Sequence, residues 1–167
     1  MVNAEKHFRE STLRERIVEH LFVGEVLKYF WKREETDIEV LRSEFDSGGY
    51  DLIISKASVT RHIQFKTSMD GGSNKEVSVN IKLANKLNGC IIWITVDNSL
   101  NLTGYRWFGA APGEPFPDIS KLKTTKHTKA NSKGEKTERP NHRIIQKNNF
   151  KSLENLEAVV EKLFGKS

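Results

Sequence analysis

The sequence predicts a mixed α/β fold in one domain, a central mixed sheet flanked by helices in the order α-β-β-β-α-β, with further strands and a closing helix. Three observations carry that. The 167 residues are about one domain's worth and can bury roughly two thirds of their unfolded surface, so no disulfide or metal is needed to fold. The strong helical periodicity sits at the two ends of the chain. Between them, short apolar runs rich in Ile and Val are punctuated by Gly, Pro, Asn and Asp.

Taken in order, residues 1–10 read as a lead-in, and Ser11 as an N-cap for a helix over Thr12–Lys32. Ile17, Val18, Leu21, Phe22 and Tyr29 gather on one side of it. Glu25 falls in the middle of that apolar arc and Glu19 nearer its edge. Ile38–Phe45 alternates well enough for a strand, and Ser47-Gly48-Gly49 marks a turn. Tyr50–Ser55 and Arg61–Thr67 are the next strands, joined by Lys56–Thr60. Asp70-Gly71-Gly72-Ser73-Asn74 is a loop, and Val79–Leu87 reads as a short crossover helix into the strand Gly89–Val96. Leu102–Gly109 is another strand, Ala111–Pro117 is irregular, and Arg143–Phe150 reads as an edge strand. Ser152 then caps a final amphipathic helix, Leu153–Phe164. No internal repeat or domain boundary is visible, so residues 1–167 form one domain.

Charge is uneven. Between Lys121 and Lys147 nine basic residues face two acids, a local +7, while the rest of the chain carries −2. A basic, partly flexible loop at about 118–142 suits a polyanion and predicts salt-sensitive binding. Lys75, Lys126, Lys129, Lys133, Arg139 and Arg143 are the candidate contacts to nucleic acid. The single cysteine, Cys90, lies in the apolar run Cys90-Ile91-Ile92-Trp93-Ile94 and reads as a buried hydrophobe, which fits a reducing cytoplasm. The longest apolar run is far short of a membrane span.

The stretch Gly48–Ser68 places polar side chains where burial is costly. In a strand, alternate residues share a face, so His62, Gln64 and Lys66 point one way and Ile63 and Phe65 the other. A hairpin closed by Lys56–Thr60 pairs residues whose numbers total about 116. That brings Asp51 opposite the Gln64–Lys66 region, with opposed side chains ~5 Å apart. A slip of one residue would turn Asp51 to the other face. A carboxylate and an amide oxygen there can ligate a hard divalent cation, and a lysine can position water and offset charge growing on phosphate. Glu25 would be a buried acid in need of a partner. A plainer reading makes Asp51 a turn cap and Gln64 and Lys66 part of a solvated face.

The set Glu25…Gly49-Tyr50-Asp51…Gln64-Phe65-Lys66 resembles the active-site signature of the PD-(D/E)XK nuclease superfamily, in the Gln-x-Lys variant of Mrr-type restriction endonucleases. The resemblance covers about residues 12–96. It implies a restriction-endonuclease-like core and Mg²⁺-dependent hydrolysis of DNA phosphodiester bonds, with Mn²⁺ able to substitute. Carried over by position, it makes Asp51, Gln64, Lys66 and Glu25 catalytic, with Asp51, Gln64 and Glu25 as metal ligands and Glu19 the alternative to Glu25. Tyr50 stands where the family has Pro, and Gln64 replaces an acid, which removes one negative charge from the metal site.

The five histidines show no metal-ligand spacing. His62 shares the face of Gln64 and Lys66, so either a place near phosphate or an ordinary surface position fits. Pro140-Asn141-His142-Arg143 lacks the ββα-metal surroundings of another nuclease site. The expectation is a DNA-directed endonuclease of restriction, defence or repair type, cytoplasmic, and compatible with a homodimer. Two rivals are a catalytically silent nucleic-acid-binding module of the same fold and an accessory subunit that binds a protein partner.

Overall fold

A computed structural model describes residue 6 and residues 9–45, 47–127 and 134–166. Helix α1 (Ser11–Trp31) leads into strands β1 (Ile38–Arg42), β2 (Leu52–Lys56) and β3 (Val59–Met69). Strand β4 (Glu76–Asn80), a 3-10 turn (Ile81–Asn85), β5 (Gly89–Val96) and β6 (Leu102–Gly109) follow. The chain closes with β7 (Thr124–Lys126), β8 (Glu138–Gln146), a second 3-10 turn (Lys147–Asn149), β9 (Lys151–Leu153) and helix α2 (Leu156–Phe164).

The main sheet has the order β1-β2-β3-β5-β6-β9, with β3 and β5 parallel and its other pairs antiparallel. A parallel pair cannot be joined by a tight turn. The chain meets that need with β4 and the 3-10 turn, where the sequence predicts a helix over Val79–Leu87. The Val-rich segment pairs with β8 instead, forming a second sheet of order β4-β8-β7. Strand β8 is therefore central in its own sheet and starts earlier than the edge strand expected at Arg143–Phe150.

The period-2 alternation of β5 explains the layers. Cys90, Ile92, Ile94 and Val96 face one core with Val18, Phe22 and Val26 of α1 and Val159, Val160 and Leu163 of α2. Ile91 and Trp93 face the opposite core with Val79, Leu83, Phe116, Ile119, Ile145 and Phe150. Helices thus cover one face of the main sheet, and the small sheet with the 110–120 segment covers the other. The fold class is the mixed α/β arrangement expected, with a central mixed sheet flanked by helices.

Helix ends follow local chemistry. Asn155, not Ser152, caps α2: its Oδ1 accepts the Ala158 N–H at 2.9 Å. Leu153, expected to open that helix behind a Ser152 cap, lies instead in the strand Lys151–Leu153 that pairs with β6. No helix among the described residues is long and apolar enough to cross a membrane.

Arg61 is fully buried on the helix side of β3. It donates to the carbonyls of Ala110 and Lys162 at 2.8 Å and lies over the Trp107 ring at 5.1 Å. The Lys162 carbonyl belongs to the last turn of α2, where the helix dipole favours a cation. Beside it, burial pushes the Cys90 thiol up to about 12, partly offset by the arginine's charge. Cys90 is therefore expected to resist Ellman's reagent at pH 8 in native buffer and to react in full once the chain is unfolded in guanidinium; fast native-state modification would contradict this burial.

Candidate functional site

The site begins where β2 and β3 part. Their register pairs Leu52 with Ile63 and Lys56 with Val59, across a two-residue turn at Ala57 and Ser58. Pair numbers total 115, one less than a five-residue loop implies. The shorter turn places Asp51 level with Gln64, on the same face, rather than level with Phe65. Ala57 takes a left-handed conformation, φ 50°, to close it.

Asp51 is the last residue held to β3 at this end. Its N–H donates to the Ile63 carbonyl at 2.8 Å. The next outward-facing donor of β3, the Phe65 N–H, has no strand residue opposite it. The Asp51 carboxylate takes that place, with Oδ2 accepting the Phe65 N–H at 2.6 Å. Gly49 sets the approach: with φ 74°, it lies so close to the 3-10 turn that an added Cβ would meet Asn80 and the Leu83 nitrogen at 3.1 Å.

Beyond this fork lies a polar cavity of about 290 Å³. Asp51, Gln64, Lys66 and Thr67 line it from the main sheet, and Glu15 and Glu19 from α1. Ser78, Asn80, Arg139 and His142 line it from the small sheet. Gln64 and Lys66 face the small sheet because Ile63 and Phe65 are buried under the helices.

The donor set on the main-sheet wall is oxygen-rich. Gln64 is 8% exposed, and its Oε1 is buried with no hydrogen-bond partner. An orphaned buried acceptor costs free energy, which a cation could recover. Asp51 and the Gln64 amide oxygen suit a hard divalent cation that keeps several waters, such as Mg²⁺. Among the described residues no group of three His, Cys, Asp or Glu side chains is arranged to hold a metal. The fit therefore depends on the amide.

Of the two helix acids the sequence offered, Glu19 lines this cavity, alongside Glu15, and Glu25 does not. Glu19 is 6% exposed, and its Oε2 accepts from Arg42 at 2.8 Å and Arg16 at 2.9 Å. Six residues along a helix turn the chain by 600°, which puts Glu25 well round the axis from Glu19. Glu25 is half-buried, pairs with Lys28 at 2.9 Å and lines a separate hollow with Tyr105. The Tyr105 hydroxyl has its pKa raised by burial first and by the Glu25 carboxylate second. The apolar arc drawn through Glu25 was misleading because Leu21, Leu27 and Trp31 are exposed on α1.

The other candidates are scattered. His62 packs edge-on to Tyr50, and its Nδ1 lies 2.9 Å from the Leu87 carbonyl, so it is not part of the cavity lining. Lys75 is exposed in the loop before β4, and Lys126 is exposed at the end of β7. Arg143 braces its own strand, donating to the carbonyls of Pro140 at 2.7 Å and Ser120 at 3.2 Å. Lys129 and Lys133 lie outside the described residues. Sequence reasoning did not single out Glu15, Ser78 or Asn80, and it set His142 aside with the Pro140–Arg143 stretch; only a pairing of β4 with β8 could have flagged the last three.

No protein-family model matches this chain, and no curated protein matches it. Among solved structures, it is similar to Hjc, a Holliday junction resolvase from the archaeal hyperthermophile Archaeoglobus fulgidus. The identity is 13% and the TM-score 0.38, over 81% of this chain and 97% of that one. A similarity of that degree carries no inference about activity.

The orphaned amide predicts a measurable instability. In metal-free buffer, Gln64→Met is expected to raise unfolding stability by about 1 kcal/mol, read as a higher urea midpoint at unchanged slope. A lower midpoint would mean the amide is satisfied in solution.

Proposed function

We propose that this chain is a divalent-metal-dependent nuclease that hydrolyses DNA phosphodiester bonds at the fork between β2 and β3. The observation that carries the reading is the convergence of Asp51, Gln64 and Lys66 on one cavity, with a buried amide oxygen that has no partner. In this reading Asp51 and Gln64 hold the cation, Mg²⁺ by the hardness of their oxygens, with Mn²⁺ as a substitute. The metal, when bound, would polarise the phosphate and lower the pKa of a coordinated water.

The chain's own residues do the rest. The Phe65 N–H holds the Asp51 carboxylate in one orientation, so little reorganisation is needed when a ligand arrives. Lys66 presents a compact cation half-buried in the cavity wall, where it can position the attacking water and offset charge growing on phosphate. Glu19, already balanced by Arg16 and Arg42, serves the site as the helix acid in place of Glu25. Lys75 and the basic segment, through Lys126, Lys129, Lys133, Arg139 and Arg143, would track the backbone of the nucleic acid.

The rival with support is a module of the same fold that binds DNA without cutting it. Gln64 in place of an acid, and a Glu19 tied to two arginines, both lower the negative charge available to a metal. The two readings separate in one assay. With Mg²⁺, wild type should nick plasmid DNA. Lys66→Ala and Asp51→Ala, folded by circular dichroism, should each lose about two to three orders of magnitude in rate. Full activity in both variants would overturn the assignment. DNA binding with a steep salt slope and no cutting in wild type would favour the silent module.

Metal affinity gives an independent reading. Gln64→Glu restores a charge to the ligand set and should bind Mg²⁺ more tightly in calorimetric titration. Equal affinity in both proteins would remove Gln64 from the ligand set.

A further inference from the structure

We infer that Arg139 and His142, carried by the small sheet, form an anion clamp facing Asp51, Gln64 and Lys66, and that Arg139 grips the phosphate that enters this cavity. The inference rests on the nuclease reading for its substrate, and gives Arg139 a role different from backbone tracking at a distance. It makes the second sheet part of the site.

Four observations support it. Both side chains line the same cavity as Asp51, Gln64 and Lys66, yet they come from a strand that does not pair with the main sheet. Arg139 Nη2 lies 2.9 Å from His142 Nε2. A guanidinium can only donate, so that ring nitrogen must be the acceptor, and the imidazole is neutral there. Among the described residues no carboxylate forms an ion pair with Arg139. The half-buried guanidinium thus sits with a neutral partner, although Glu15 and Glu19 line the same cavity.

The chemistry favours phosphate. A guanidinium presents a planar fork of donors that matches two phosphate oxygens. His142 takes one Nη2 proton and so fixes the rotation of the fork. Register holds the pair in place: His142 is opposite Asn80 of β4, and Arg139 opposite Thr125 of β7. The opposite wall offers the cation ligands and Lys66. A phosphodiester between the two walls would meet positive charge on both sides, which is the arrangement that stabilises charge developing on its oxygens. Arg139 is the residue that touches substrate; His142 is a positioning residue.

The test uses the full chain and a short labelled DNA duplex, with Ca²⁺ in place of Mg²⁺ so that binding is read without cutting. Arg139→Gln keeps much of the side chain's size and its hydrogen bonding but removes the charge. It should bind about tenfold more weakly at 0.1 M salt, and the slope of log K against log salt should fall by about 0.9, the signature of one lost phosphate contact. Arg139→Lys should keep the slope. His142→Ala should weaken binding, and the double variant Arg139→Gln/His142→Ala should be no weaker than Arg139→Gln. An unchanged slope and affinity in folded Arg139→Gln overturns the clamp, even if wild type cuts DNA in Mg²⁺. The predicted slope change in a wild type that never cuts supports the clamp and defeats the nuclease reading. Failure of wild type to bind DNA at low salt overturns both.

Discussion

One hydrogen bond joins the fold of this protein to its candidate chemistry. Strand β3 continues past the point where β2 leaves it, and a backbone N–H at that edge has to find a partner. The Asp51 carboxylate accepts it from Phe65. The same bond closes the fork in the sheet and fixes a carboxylate beside Gln64. A register shift of one residue would break both, because it would turn Asp51 toward the helices and take from the Phe65 amide the carboxylate that accepts it. The sharp two-residue turn at Ala57 and Ser58 and the left-handed Gly49 are local devices that hold this register.

The second constraint is long-range. Gln64 and Lys66 would lie on an open sheet face if the small sheet were absent. Strands β4 and β8 of that sheet lie over this face and convert it into a partly enclosed polar cavity. Polar groups acquire larger interaction energies there because water no longer screens them fully. Arg61 and Arg139 are treated differently. Arg61 is sealed under α2, held by two carbonyls and a Trp ring, and belongs to packing. Arg139 is half-buried at a cavity wall with an imidazole for a partner, and belongs to the site.

Some of this was legible in the chain as a string of residues. The strands Gly89–Val96 and Leu102–Gly109 end where their flanking turn residues say they should. The α1 boundaries fell within a residue of the expected ones, although Glu10 occupies the N-cap position and makes no side-chain bond there. That Gln64 and Lys66 share a face was readable because strand alternation is a local property; the place of Asp51 was not, because the turn holds two residues rather than five and moves the register by one. The choice of Glu19 over Glu25 was not. It depends on which side of α1 meets the sheet, and exposed apolar residues on that helix blurred the stripe.

What the sequence by itself determined is therefore the α/β class, the central strands Gly89–Val96 and Leu102–Gly109, and the face that Gln64 and Lys66 share on β3. Periods of 2 and 3.6 residues and tight turns act over a few residues, so they can be read along the chain. Only the tertiary structure decided that Val79 and Asn80 would leave the expected crossover helix for a strand, that β8 would sit between β4 and β7, and that Arg139 and His142 would line one cavity with Asp51. The β4–β8 pairing behind these outcomes joins segments more than 60 residues apart, such as Val79 with Arg143. Local propensity cannot choose among such partners; the burial of Val79, Ile145 and Trp93 in one shared core does.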